Sequence, residues 1–236
     1  MDASKTSVKK HIWNHLGTTL IEMVVSFALL GIFVSASTVI IFNVTNLYYH
    51  VRGENYARQV GDIITGKISA EIEGALYNER NAVMNPYVDT KTYTEASEEG
   101  EPHNGNALVL YDKTDTGLRM FAQNGVFRMY YFPIRIQDST GNLSKDLKGT
   151  YWEFDKNIYN GYTIESMDFA PADSALNATL AAEYEVAVPD VTEYPGNILV
   201  VYMKMTSGQY GSFTVCRYVK LYNVPETAGS INVVEP

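Results

Sequence analysis

The chain contains a single cysteine, Cys216. That excludes an intramolecular disulfide and every multi-cysteine zinc motif. Its four histidines, His11, His15, His50 and His103, are scattered, so no Ser/His/Asp set can be nominated from spacing. Neither G-x-x-x-x-G-K-[ST] nor G-x-G-x-x-G occurs, so no phosphate-cradling loop is signalled. Positive charge is scarce, with 18 Lys and Arg against 27 Asp and Glu. A net charge of −9 argues against nonspecific binding to nucleic acid, which needs cations to displace counterions. With 46% hydrophobic residues the chain is not a disordered one. No cofactor is called for.

The little positive charge there is stands apart. Lys5, Lys9 and Lys10 oppose only Asp2 in the first 17 residues, which sum to +2 and leave −11 on the rest. A basic start before an acidic body is the pattern of a topology signal ahead of an exported domain. Between Glu22 and Arg52 lie 29 residues with no Asp, Glu, Lys or Arg. Residues 23–44 contain no proline, and their polar side chains are only Ser26, Ser35, Ser37, Thr38 and Asn43. As a helix these 22 residues reach about 33 Å, enough to cross a hydrocarbon layer of about 30 Å. The flanks place the leader lysines in the cytoplasm and the acidic body outside.

Glu22 is out of place at the edge of such a segment. A carboxylate drawn towards the bilayer centre costs about 2.5 kcal/mol or more. Either it snorkels to the interface, or a cationic partner meets it in the membrane.

Residues 17–33, GTTLIEMVVSFALLGIF, resemble the processing signature of the type IV prepilin and pseudopilin family. The resemblance implies cleavage by a prepilin peptidase after Gly17 and N-methylation of the exposed amine of Thr18. It implies an assembly role for Glu22, five residues into the mature chain, and Gly31 matches a glycine common in these helices. It covers about the first 60 residues. Thr18 departs from the phenylalanine most often found first, and the absence of proline points to a minor pilin or a pseudopilin. The implied partners are other pilin subunits, the peptidase and methylase, and the assembly platform. The implied place is a single-pass position in the cytoplasmic membrane, then a filament of a pilus, a secretion machine or a DNA-uptake machine. Two other export schemes fit parts of the pattern. One is an uncleaved anchor bearing an extracellular binding or enzymatic domain. The other is signal-peptidase cleavage after Ala36, leaving Ser37 first.

Beyond the apolar run, Val60, Ile64, Ile68, Ile72 and Leu76 recur every four residues, with Ile63 beside them. This predicts an amphipathic continuation of the helix over 48–77. Gly53, Gly61, Gly66 and Gly74 weaken it, and bending around Gly53 is expected. Residues 78–106 read as a long acidic connection. From about residue 105, alternation predicts strands near 107–112, 118–122, 126–132, 150–155, 161–169, 184–188, 199–205 and 213–221. Turn signals such as Asn124-Gly125, Pro195-Gly196-Asn197 and Ser207-Gly208 separate several of them. Asp112 to Gly117 miss the spacing of a calcium loop and read as a turn. The division expected is 1–17 leader, 18–47 membrane and assembly helix, 48–77 amphipathic helix, and 78–236 β-rich body. The fold class expected is α+β, a long helix on an antiparallel sheet. No catalytic and no metal-binding residue is nominated.

Overall fold

The computed structural model describes residues 19–77, 85–91, 104–111, 116–133, 149–187, 195–227 and 229–234. The chain divides into two compact units, residues 1–48 and 49–236. Helix α1, Leu20–Ile72, has residues in both.

In the first unit, the described side chains are exposed apart from a half-buried Ser37. Phe27, Leu30, Ile32, Phe33, Ile40 and Phe42 are each more than half exposed. A helix apolar all round, with no protein over it, is what hydrocarbon solvent demands. This segment is long and apolar enough to cross a membrane.

In the second unit α1 has one buried face, formed by Gly53, Ala57, Val60, Gly61, Ile64, Thr65, Ile68 and Ile72. Ile63, expected beside this stripe, is instead exposed, because it lies about 100° round the helix from Ile64. No unwinding occurs at Gly53, since α1 runs unbroken through it. The buried glycines serve close packing instead. A Cβ on Gly53 would lie 2.6 Å from Tyr210 Cβ, and one on Gly61 would lie 2.6 Å from Val215 Cγ1. Tyr162 donates its hydroxyl to the Gly53 carbonyl at 2.9 Å, fastening the helix at that point.

The helix packs on two sheets, not one. Strands β1 (Tyr87–Asp89), β2 (Asn104–Tyr111), β3 (Thr116–Gln123), β4 (Val126–Pro133) and β5 (Thr150–Glu153) belong to a six-stranded sheet. Its order is β5-β4-β3-β2-β1-β9, with β9 (Asn232–Val234) parallel to β1 and the other pairs antiparallel. Strands β6 (Thr163–Pro171), β7 (Ile198–Ser207) and β8 (Gly211–Lys220) form an antiparallel three-stranded sheet. Ile64, Ile68, Met120, Phe127, Met203 and Val215 belong to the core that α1 shares with both sheets. Asn124 and Gly125, at φ 52° and 80°, make the tight β3–β4 turn that their dipeptide predicts.

The strand expected over 184–188 is replaced, within the described residues, by the end of a helix, α2 (Ala175–Glu183), and its turn. Ser174 caps its start by accepting the Asn177 N–H, and Ala and Leu favour its interior. Glu185 at φ 55° closes it, with Val186 N–H donating to the Ala181 carbonyl. What reads as alternation over Tyr184 and Val186 is this cap. Leu180, Ala181 and Tyr184 pack with Val200 and Tyr202 on the face of β7 opposite α1. Strands β1 and β9 were not expected, and Tyr87–Asp89 falls inside the stretch read as a connection.

The sheets are joined where the register of β2 shifts. The Asn106 side chain acts as a short strand there. Its Oδ1 accepts the Phe169 N–H at 2.6 Å and its Nδ2 donates to the Phe169 carbonyl at 2.8 Å. The Asn106 N–H donates to Asp168 Oδ1 at 2.7 Å. Gly105 lets the backbones meet, since a Cβ there would stand 2.1 Å from the Met167 carbonyl oxygen.

Candidate functional site

The start of α1 carries the polar chemistry of the first unit. A helix begins with four N–H groups that have no partner within it. Thr19 and Glu22 meet two of these donors reciprocally. The Thr19 N–H donates to Glu22 Oε2 at 2.8 Å, and the Glu22 N–H donates to Thr19 Oγ1 at 3.4 Å. Met23 N–H closes the first turn on the Thr19 carbonyl at 3.1 Å. This is a capping box, a Thr at the cap and a Glu three residues on. The carboxylate also faces the positive end of the helix dipole. So Glu22 has a partner in its own chain, besides the interface or the cationic partner expected for it. The signal was present, because Thr-x-x-Glu ahead of an apolar run is the pattern of such a box. Gly17 and Thr18, the expected cleavage and methylation positions, lie outside the described residues.

Further along, Ser35 donates to the Gly31 carbonyl and Thr38 to the Val34 carbonyl, each at 2.8 Å. These back-bonds neutralise the two hydroxyls without a partner helix. Ala28, Gly31, Ser35 and Thr38 follow one another at steps of three and four, so small residues share one side of the helix.

Among the described residues no group of three or more His, Cys, Asp or Glu could hold a metal ion. Cys216 is half-buried, and burial pushes its thiol up, away from the reactive thiolate. A groove beside it runs between α1 and β8, and its charged lining residues are engaged in ion pairs. Arg58 meets Glu54 at 2.6 Å, Arg217 reaches Asp62 at 2.7 Å, and His50 stacks on Phe213 at 5.3 Å. The groove therefore presents ion pairs along a helix–strand contact. The residues Asp112–Asp115, read as a turn, lie outside the described ones.

Comparison with family models, with curated proteins and with solved structures gives no match.

Proposed function

We propose that the chain is a structural subunit of a type IV pilus-like filament, a minor pilin or pseudopilin that carries out no reaction of its own. The observation behind this is the junction at Thr19–Glu22. A carboxylate is held at the head of a helix whose next 29 residues carry no formal charge. In this reading the leader lysines set the orientation, and a prepilin peptidase cuts between Gly17 and Thr18. The cut removes the cytoplasmic charges and creates a cationic amine on Thr18. N-methylation leaves that amine protonated near neutral pH.

A cation at a helix N-terminus opposes the dipole and needs an anion. Glu22 supplies one through an oxygen that the cap does not use, since only Oε2 accepts the Thr19 N–H. The cap itself survives the cut, because the Thr18–Thr19 peptide bond stays intact. The Thr18 amine of one subunit then pairs with Glu22 of its neighbour in the low dielectric of the membrane. Removing one half of such a buried pair costs about 3–5 kcal/mol, which sets the register of stacking helices. The small-residue side of α1 supports this reading, since close helix approach in lipid favours such residues. The partners are sister subunits, the peptidase and methylase, the assembly platform and the membrane. The site is the cytoplasmic membrane first, with the body outside, and the filament afterwards.

A second reading is favoured by the same capping box. If the Thr19 N–H suffices for Glu22, the chain can remain an uncleaved anchor with an extracellular binding or enzymatic domain. Two measurements separate the readings. The mass and N-terminal sequence of the mature protein should start at a methylated Thr18, and material beginning at Met1 overturns the proposal. Glu22→Gln keeps a side-chain oxygen for the cap but loses the charge. It should abolish entry into filaments, and normal incorporation would remove the paired-charge mechanism.

A further inference from the structure

Asp168 is the buried carboxylate at the joint between the sheets, and its two oxygens have different partners. Oδ1 accepts the Asn106 N–H from β2 at 2.7 Å. Oδ2 lies 2.6 Å from the hydroxyl of Tyr184, the residue that ends α2. The same hydroxyl lies 2.8 Å from Ser166 Oγ. Asp168 and Tyr184 are 8% and 5% exposed, whereas Ser166 is half-buried and reaches the surface. Tyr184 thus has one proton and two acceptors, and a line of three oxygens runs from the buried carboxylate outwards.

We propose that Asp168, Tyr184 and Ser166 form a proton wire, through which the buried carboxylate gains or loses a proton while the joint between the sheets stays closed. With Asp168 ionised, Tyr184 donates to Oδ2 and Ser166 donates to Tyr184 Oη. When water delivers a proton at Ser166, each hydroxyl passes one proton inward. Asp168 Oδ2 then carries a proton and donates it to Tyr184 Oη. Tyr184 donates to Ser166 Oγ, and the Ser166 hydroxyl turns to solvent. One proton enters, none is left on the phenol, and no hydrogen bond of the line is lost. Oδ1 accepts from Asn106 in both states, so β2 stays bonded to β6.

The surroundings favour uptake. Burial pushes Asp168 up against the pull of its hydrogen bonds, and the like charge of Glu183 on α2 adds to this. Tyr184 is pushed up as well, which keeps the phenol neutral. Facing Asp168 across the ladder on β7 is Tyr202, and Lys204 is engaged by Glu165 at 3.0 Å. From β2 comes the neutral Asn106. The folded pKa therefore stands above the unfolded one. The folded chain binds the extra proton, and stability rises as pH falls through that window, levelling off below the unfolded value.

The experiment is a pH titration of the full chain in detergent micelles, followed by NMR. The Asn106 amide should move with a single protonation above the ordinary aspartate range. The slow hydrogen exchange of the Asn106 and Phe169 amides should persist throughout. Loss of that protection as Asp168 titrates would show the joint opening, and would overturn the wire. Ser166→Ala deprives the protonated state of the acceptor for Tyr184, so the midpoint should fall. An unmoved midpoint overturns the role of Ser166. Asp168→Asn mimics the protonated form. Relative to it, the wild-type unfolding constant should change by up to tenfold per pH unit in the window. A difference that is flat with pH overturns the proposal. These readouts do not depend on filament formation, so they stand or fall separately from the proposed function.

Discussion

Glu22 closes a ring with Thr19, taking the Thr19 N–H on Oε2 at 2.8 Å and returning its own N–H to Thr19 Oγ1 at 3.4 Å. The residue that reads as an anomaly in lipid is thereby also an ordinary helix start. Cap and charge are separable roles, because glutamine can serve the first and not the second.

Thr19→Val keeps the shape of the side chain and removes the accepting oxygen. The Glu22 N–H then loses its partner, at a cost of about 1 kcal/mol for a typical cap. Its amide exchange should accelerate about fivefold in micelles, by the same arithmetic. Thr19→Ser should leave it unchanged. Equal exchange in wild type and Thr19→Val would mean that the cap does not hold the first turn.

The contact between Gly61 and Val215 gives a prediction of opposite sign to helix propensity. Alanine in place of a helical glycine normally stabilises by up to about 1 kcal/mol. At Gly61 the new Cβ would stand 2.6 Å from Val215 Cγ1, with Cγ2 and Cβ at 3.3 and 3.4 Å. A branched side chain with a stiff χ1 cannot rotate clear of it. Overpacking of this kind costs about 1–3 kcal/mol, which outweighs the propensity gain. Gly61→Ala should therefore destabilise the body by up to about 2 kcal/mol in denaturant unfolding, once the propensity gain is subtracted. Gly66 is exposed, and its Cβ would meet nothing within 4 Å, so Gly66→Ala should stabilise. Two variants with the same sign would refute the packing argument. Val215→Ala combined with Gly61→Ala should show coupling in a double-mutant cycle.

These glycines also mark the limit of what could be read in advance. The stripe Val60, Ile64, Ile68 and Ile72 was legible because a helix repeats its face every four residues, and all four are buried. Alternation in β7 and β8 and the Asn124-Gly125 turn were legible for the same local reason. A glycine, though, has one sequence appearance and two meanings, a weak point or a close approach, and only Val215 and Tyr210 decide between them. The joint at Asn106 was hidden more deeply, because its partners Asp168 and Phe169 are 62 and 63 residues away and an amide side chain takes the place of a strand. Strands β1 and β9 are three residues each, too short to carry a period. At the head of α1, the charge of Glu22 stands out in the sequence, and the Thr-x-x-Glu spacing is the signal for its bond to Thr19.

The tyrosines of the body supply a test at alkaline pH. Tyr159 and Tyr162 are 2% and 3% exposed, and burial pushes both up to about 12 from the ordinary 10. For Tyr162 the nearby Tyr210 adds to the rise. Each hydroxyl also has work in the fold. Tyr159 Oη accepts the Phe127 N–H at 2.8 Å, and Tyr162 donates to the Gly53 carbonyl of α1. Because the folded pKa exceeds the unfolded one, the folded state holds these protons between pH 10 and about 12 while the unfolded chain releases them. Stability is thus unaffected by them below 10 and falls as pH rises through that window. Absorbance of phenolate near 295 nm should show the exposed tyrosines titrating first. The buried ones should follow in a steep step that coincides with loss of near-ultraviolet circular dichroism. Tyr162→Phe cannot reach the Gly53 carbonyl, so it should lower stability at neutral pH by about 1 kcal/mol. It should also weaken the alkaline dependence. If Tyr159 and Tyr162 ionised near 10 with the fold intact, their burial against β4 and α1 would be refuted.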